Sequence, residues 1–309
     1  MLKIIRAGLQ TTVQDLGRPG WRQLGISQCG ALDSPALKLA NLLVGNEANA
    51  AALEITLGQL VVTFTAPCWI ALTGADCHAL LDGKTLWTGW RFAVQKGQTL
   101  RLRSPRNGMR SYLAVSGGIA VSEILGSRST DLKAGIGGLE GRLLAEGDVL
   151  PLGKPKRLPE RSVGVKQLLF SNRVRVLPGP EYQEFSEEAR DNFWRTGWHL
   201  SPQSNRMGYR LLGPELVREK QREMLSHGLL PGVIQVPHNG RPIVLMADAQ
   251  TTGGYPRIGC VIDADLYNMA QLRLGEPVHF IRCSLDEAQR AWQEQSRYLE
   301  QIAWRLHGH

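Results

Sequence analysis

The sequence predicts a mainly β chain with peripheral helices, arranged as two domains. Three observations carry that expectation. The chain has 309 residues, 43% of them hydrophobic, which is enough to bury two cores. Glycine (34) and proline (16) are plentiful beside 6 Phe and 6 Tyr, a balance that suits many tight turns. Between Leu53 and Leu102 short extended runs follow one another with no helical pattern between them. That spacing points to antiparallel pairing in a barrel or sandwich rather than to βαβ units.

Taken in order, Leu2–Leu9 reads as an opening strand that leads into TTVQDLGRPG, Thr11–Gly20. This polar loop carries Gln14, Asp15 and Arg18, and Gly17, Pro19 and Gly20 give it a fixed path. A helix follows, with Asp33 or Ser34 as cap, Pro35 at the first helical position and Gly45-Asn46 as its stop. Leu39, Leu42 and Leu43 are its expected buried stripe. Strands are expected at Leu60–Phe64, Trp69–Thr73, His78–Leu81, Thr85–Trp87 and Thr99–Arg103, with Asp82-Gly83 as a hairpin turn. Tyr112–Val121 continues the pattern into a small-residue turn.

Leu125–Leu132, LGSRSTDL, gathers Ser127, Arg128, Ser129, Thr130 and Asp131 ahead of Gly135, Gly137 and Gly138. Small hydroxyls beside a planar guanidinium suit an oxyanion or a phosphate. The other reading is a loop that satisfies its own backbone. The spacing is neither a phosphate loop nor a dinucleotide fingerprint. Gly153–Gly164, rich in proline and charge, is the expected boundary between domains 1–155 and 165–309.

Beyond it come a strand at Arg173–Leu177 and a helix over Glu187–Arg195, with Trp194 and Trp198 as apolar anchors. Leu200–Gly213 then concentrates donors at Ser204, Asn205, Arg206 and Arg210. The stretch with the densest chemistry is Val233–Val261. It reads as a short strand, an Asn239-Gly240 hairpin turn, a second strand at Ile243–Met246, and a loop over Asp248–Gly259. Asp248, Gln250, Thr251, Thr252, Tyr255 and Arg257 surround Gly253-Gly254, where backbone can come close to a ligand. A tight turn satisfied by its own side chains is the alternative. Last come a helix at Asp263–Leu272, a strand at Glu276–Ile281 and a helix opened by the capping box Ser284–Glu287. Ala288, Trp292, Gln295, Leu299, Ile302 and Leu306 form that helix's stripe, suited to packing on the barrel or to docking a partner.

The net charge of +8 is compatible with anionic metabolites or an acidic partner. Basic runs interleaved with aromatics are missing, so nucleic acid is not expected. Five cysteines without a CxxC pair support neither zinc nor a disulfide framework, and no metal site is predicted. No signal-peptide core or membrane-length apolar run occurs, so no membrane partner is expected and the expected compartment is the cytoplasm. With no G-x-S-x-G elbow, no histidine pair and no cysteine signature, the loops suit binding of a carboxylate, a planar amide or phosphoryl oxygens.

The segments TTVQDLGRPG, GALDSPA, NLLVGN, AVSGGI, LGSRSTD, LPGPE, SNRMGYRL and IQVPHNGRPIVLMADAQTTGGYPRIG occur in an order that resembles a known family. It is the allophanate hydrolase subunit 2 family, also called biotin-dependent carboxyltransferase or KipA-like, matched from about Thr11 to Asp265. The resemblance implies a pair of cyclophilin-like β-barrel domains. Chain length is similar to the family's 5-oxoprolinase branch. That branch implies opening of 5-oxo-L-proline to L-glutamate coupled to ATP hydrolysis. It also implies two partners: a KipI-like protein, similar to allophanate hydrolase subunit 1, and one further 5-oxoprolinase subunit. ATP, with Mg²⁺, would be bound by that complex. Relatives within urea carboxylase imply a second reading, transfer of a carboxyl group from carboxybiotin to urea. No biotin-attachment segment occurs here, so the carrier would be another protein. A third reading is a non-enzymatic protein that binds a kinase or its regulator.

On this basis Asp248, Arg257 and Arg128 are the expected catalytic residues. Arg128, Arg206 and Arg257 would bind anions, and Gln250, Thr251 and Tyr255 would orient the amide. Asp248 or Asp15 would act as a base or hold an arginine. Gln14, Arg18, Ser127, Thr130, Ser204, Asn205 and Thr252 complete the expected substrate or nucleotide set.

Overall fold

The computed structural model describes residues 1–220 and 224–307. The chain divides into two compact units. One comprises Met1–Arg18, Cys29–Leu169 and Arg297–His309; the other comprises Pro19–Gln28 and Phe170–Ser296.

The first unit is built on two sheets. Six strands run in the order Val149–Leu150, Leu2–Arg6, Val61–Phe64, Thr99–Arg101, Leu80–Leu81, Lys84–Thr85. Five others run in the order Gln10–Gln14, Ala52–Thr56, Arg110–Val115, Cys68–Gly74, Trp90–Val94. All ladders are antiparallel. Alternation decides how the five-stranded sheet is used. Along Arg110–Val115, Leu113 and Val115 join the core shared with Leu2, Ile4, Val62 and Leu100. Tyr112 and Ala114 point the other way and pack with Ala36, Leu37, Ala40 and Leu43 of the helix Ser34–Leu43. The strand is covered on both faces, so all six of its residues are buried, the polar Arg110 and Ser111 included. The helix starts as its sequence indicates, with the Asp33 carboxylate accepting from the Ala36 N–H at 3.0 Å and Pro35 in the first turn. The Asp82-Gly83 turn also forms: both residues have positive φ (46° and 84°), as a two-residue hairpin of this type requires.

The second unit holds a closed barrel of seven strands. Their order is Arg173–Pro178, Arg257–Val261, Val233–Gln235, Ile243–Leu245, Gly208–Leu212, Gly197–Leu200 and Pro277–Arg282. The last strand returns to the first in parallel, Arg173 opposite His279. The stretch Val233–Val261 therefore supplies three of the seven staves. Trp198, Phe193 and Phe280 are fully or almost fully buried, with the Phe193 and Phe280 rings 5.0 Å apart.

The expectation of two cyclophilin-like barrels is corrected here. Among the described residues there is one closed barrel, in the second unit, and it is a seven-stranded mixed barrel; the first unit carries two separate sheets. Short strands at close spacing specify antiparallel neighbours, but closure depends on whether the outermost strands also pair. Val149–Leu150 and Lys84–Thr85 remain edges of one sheet, and Gln10–Gln14 and Trp90–Val94 of the other. The Asn239-Gly240 expectation also changes. Only Gly240 has positive φ (67°), and the pair nearest the turn is Gln235 with Ile243. The turn is instead closed by the Gly240 N–H on the Pro237 carbonyl at 2.9 Å, inside a longer connection between Pro237 and Pro242.

Candidate functional site

The residues singled out in the sequence fall into two clusters, one in each unit. In the first unit the strand Gln10–Gln14 delivers Asp15 to the loop over residues 127–130. Asp15 Oδ1 accepts from the Gly17 N–H at 2.8 Å and from the Ser127 and Ser129 hydroxyls at 2.6 Å each. Its Oδ2 accepts from the Arg128 N–H at 2.6 Å. The Thr130 hydroxyl donates to the Val13 carbonyl at 3.0 Å, and Gln14 Nε2 donates to the Thr130 carbonyl at 3.2 Å. Asp15 thus organises the loop through hydroxyls and backbone. The Arg128 guanidinium reaches the Val121 carbonyl at 2.9 Å and Glu123 at 2.6 Å.

Arg18 is different. It is 0% exposed, and its Nη2 donates to the Ser129 carbonyl at 2.5 Å. Among the described residues its Nε and Nη1 are buried without a partner, as is Oε1 of the fully buried Gln14.

In the second unit the loop after Ile243–Leu245 is held by two arginine–carboxylate forks. Arg206 donates through Nε and Nη2 to Asp248 at 2.9 Å each, and both side chains are buried. Arg257 donates through Nε and Nη2 to Glu181 at 2.8 Å each, with its own N–H on the same carboxylate at 3.0 Å. Burial raises the Glu181 carboxyl, but the Arg257 hydrogen bonds and charge outweigh that and hold it below the ordinary glutamate range. The same pairing raises Arg257. Backbone approach here depends on Gly179, where a Cβ would lie 2.2 Å from the Arg257 carbonyl oxygen.

The segment 19–28, which belongs to this unit, lies against the same loop. The Ser27 hydroxyl donates to the Ala249 carbonyl at 3.1 Å and to that of Asp248 at 3.3 Å. Arg22 donates to the Leu229 carbonyl, and the Leu229 N–H donates to the Thr251 carbonyl at 2.8 Å. Burial lowers Arg22 from its ordinary value. Thr252-Gly253 pairs with His227-Gly228. Gly253 leaves room for carboxamides, since a Cβ there would meet Gln235 Nε2 at 3.3 Å and Gln250 Nε2 at 3.7 Å. Gln250 is exposed and Thr251 is buried.

Tyr255, 40% exposed, stands at right angles to His238 with ring centroids 5.9 Å apart. Both line a cavity of about 750 Å³ with Phe185, Glu215, Arg218 and Pro256 among its walls. Ser204 and Asn205 close a local turn instead. The Ser204 hydroxyl pairs with the backbone of Arg210, and Asn205 Oδ1 accepts from the Met207 N–H at 2.8 Å.

Sequence reasoning missed Glu181, Arg22, Ser27 and Gln235. Glu181 stands in the LPGPE segment, so its place was visible but its pairing across 76 positions was not. Arg22 and Ser27 carry no local signal, because their partners lie more than 200 residues away.

Hydroxyls and carboxamides of this kind suit a small amide or anion. The family model "carboxyltransferase domain, subdomain A and B" matches residues 24–282. The chain is 67% identical over 307 residues to the C subunit of 5-oxoprolinase from Escherichia coli, covering 99% of each. It is 43% identical over 302 residues to the corresponding 5-oxoprolinase protein of Haemophilus influenzae, covering 98% of this chain and 97% of that one. The crystal structure of K. lactis urea amidolyase superposes with a TM-score of 0.90 at 28% identity, covering 97% of this chain and 20% of that one. With a family model across most of its length and relatives this similar end to end, the chain belongs to the carboxyltransferase domain family, alongside the C subunits of 5-oxoprolinase.

Proposed function

We propose that the chain acts as one component of an ATP-dependent 5-oxoprolinase. The enzyme opens 5-oxo-L-proline to L-glutamate with hydrolysis of ATP, and this chain works with a KipI-like partner and one further 5-oxoprolinase subunit. The observation that carries this reading is the 67% identity to a 5-oxoprolinase C subunit with 99% of both chains covered. A lactam is an unreactive amide, and ATP makes its carbonyl oxygen a leaving group by phosphorylating it. Charge then develops on oxygen, where fixed donors stabilise it.

In this chain the two clusters divide that work. Asp248 and Glu181 hold Arg206 and Arg257 in fixed orientations, Asp248 and Arg257 bracket the loop that carries Gln250 and Tyr255, and Gln235 Nε2 donates to the Tyr255 carbonyl at 3.4 Å. The carboxamides orient the amide, while the two arginines, each matched by its carboxylate, hold the loop in place. In the first unit Asp15 fixes Ser127, Ser129 and the Arg128 backbone. ATP is bound by the assembled complex, with the Mg²⁺ that its phosphates and water carry. Among the described residues no group of three His, Cys, Asp or Glu side chains gathers in metal-binding geometry. The site of action in this reading is the cytoplasm; among the described residues no helix is long and apolar enough to cross a membrane.

A second reading, carboxyl transfer from a biotin carried by another protein, is favoured by the TM-score of 0.90 to urea amidolyase. Turnover separates the two. The purified chain is mixed with its two partner subunits and assayed for ADP release dependent on 5-oxoproline. Turnover by the three together, with no requirement for a biotin carrier, is the expected result. Activity that appears only with a biotinylated carrier would replace the lead reading with the second.

A further inference from the structure

A guanidinium keeps its charge at every physiological pH, so burying one without a counter-charge is among the most costly arrangements a fold can hold. Arg18 is in that position. It is fully buried, it makes one hydrogen bond, to the Ser129 carbonyl, and its Nε and Nη1 have no partner among the described residues. Asp15, three residues earlier, does not neutralise it. The Asp15 oxygens take the Gly17 and Arg128 N–H groups and two serine hydroxyls instead. Arg128, Arg206 and Arg257 each hold a carboxylate, so Arg18 stands apart from them.

A second buried orphan belongs to the same loop. Gln14 Nε2 donates to the Thr130 carbonyl and to the Thr12 hydroxyl, which fixes the amide and leaves Oε1 without a donor among the described residues. The two side chains that carry these unpartnered atoms are therefore anchored, through Arg18 Nη2 and Gln14 Nε2, to the consecutive carbonyls of Ser129 and Thr130. Glycine keeps the wall thin: a Cβ at Gly137 would lie 2.9 Å from Arg18 Nη2 and 2.0 Å from the Ser129 carbonyl oxygen.

We infer that Arg18 and Gln14 form a seat for a small carboxylate that carries one hydrogen-bond donor. The carboxylate supplies the missing counter-charge to Arg18, and its O–H or N–H satisfies Gln14 Oε1. Hydrogencarbonate and a lactam acid such as 5-oxo-L-proline both have this chemistry. The seat is a property of the chain alone, so its test is independent of whether the assembled complex turns over 5-oxoproline.

The test is thermal unfolding of the purified full-length chain at constant ionic strength, with a bulky sulfonate as the balancing anion. Formate, hydrogencarbonate and 5-oxo-L-proline are titrated separately. The expected result is a saturable rise in Tm of about 3–6 °C with hydrogencarbonate or 5-oxoproline. The rise should vanish in Arg18→Met. In Gln14→Leu, affinity for the donor-bearing anion should fall about tenfold while the formate response is unchanged. Which of the two donor-bearing anions acts identifies the source of the carboxylate. If Tm is indifferent to all three anions in the unmodified chain, the site holds ordered water only and the inference fails. A rise that persists in Arg18→Met places the anion elsewhere and also overturns it. Should Arg18→Met not fold, the unmodified chain and Gln14→Leu still decide.

Discussion

Arg257 and Arg206 carry the same fork to a carboxylate, yet their surroundings predict different costs. The Arg206–Asp248 side chains are 5% and 6% exposed, and removing the arginine takes the charged partner from a buried carboxylate. Arg206→Ala is expected to lose about 3–5 kcal/mol, read as a lower midpoint in urea unfolding. The Arg257–Glu181 pair is 23% and 7% exposed. Arg257→Lys keeps the charge but cannot copy the fork, so about 1–2 kcal/mol of stability should go. Turnover of the assembled complex should fall roughly tenfold if Arg257 also orients the site, by about one charge-assisted bond. The pH dependence of this pair has a definite sign. Glu181 is held below its ordinary value in the folded chain, so its contribution is complete above about pH 4.3, the unfolded-state value. It is lost as pH falls through the lower folded value. Glu181→Gln should therefore flatten the acid limb of the stability profile and leave its alkaline side unchanged.

Elements translate local signals with varying fidelity. The capping box at the last helix forms as the sequence states, with the Ser284 N–H on Glu287 at 2.7 Å and the Glu287 N–H on the Ser284 hydroxyl at 3.3 Å. The helix runs Leu285–His307, and its buried stripe differs from the expected one. Ala291 is buried with Ile262, Ala264 and Cys283, while Trp292 is 53% exposed. Gln295 donates to the Ala264 carbonyl at 3.1 Å, and Leu306 packs on the core around Tyr112. The helix thus covers the chain's own core. Ala291→Asp should lower Tm by several degrees, whereas Trp292→Ala should leave Tm and co-elution with the KipI-like partner unchanged. A loss of co-elution in Trp292→Ala would make that face the interface. Gly137 tests the other end of the chain. With φ of 71° and the Ser129 carbonyl 2.0 Å from any Cβ, Gly137→Ala should be poorly soluble or several degrees less stable.

At the scale of the molecule, the chain presents two polar clusters and no phosphate loop of the recognised kind. The isolated chain is therefore expected to show negligible 5-oxoproline-dependent ATP hydrolysis, and full turnover without partners would remove the multi-subunit reading. The sequence by itself determined the elements whose instructions are local. The Pro35 helix start, the Asp82-Gly83 hairpin, the capping box and the Glu187–Arg195 helix depend on neighbours within a few residues. It also placed the polar loops, because runs rich in glycine, hydroxyl and arginine stand out from strand patterns. Tertiary structure decided whatever depends on distant pairing. Sheet closure is one case: Arg173–Pro178 meets Pro277–Arg282, far along the chain, to close a barrel, while among the described residues the first unit's edge strands find no strand that closes either sheet. The state of each arginine is the other. Arg257 is matched by a carboxylate 76 positions away and Arg206 by one 42 away, while Arg18 is enclosed with its Nε and Nη1 unmatched among the described residues. Side-chain type is written in the sequence, but which carboxylate reaches a buried charge is a fact of packing.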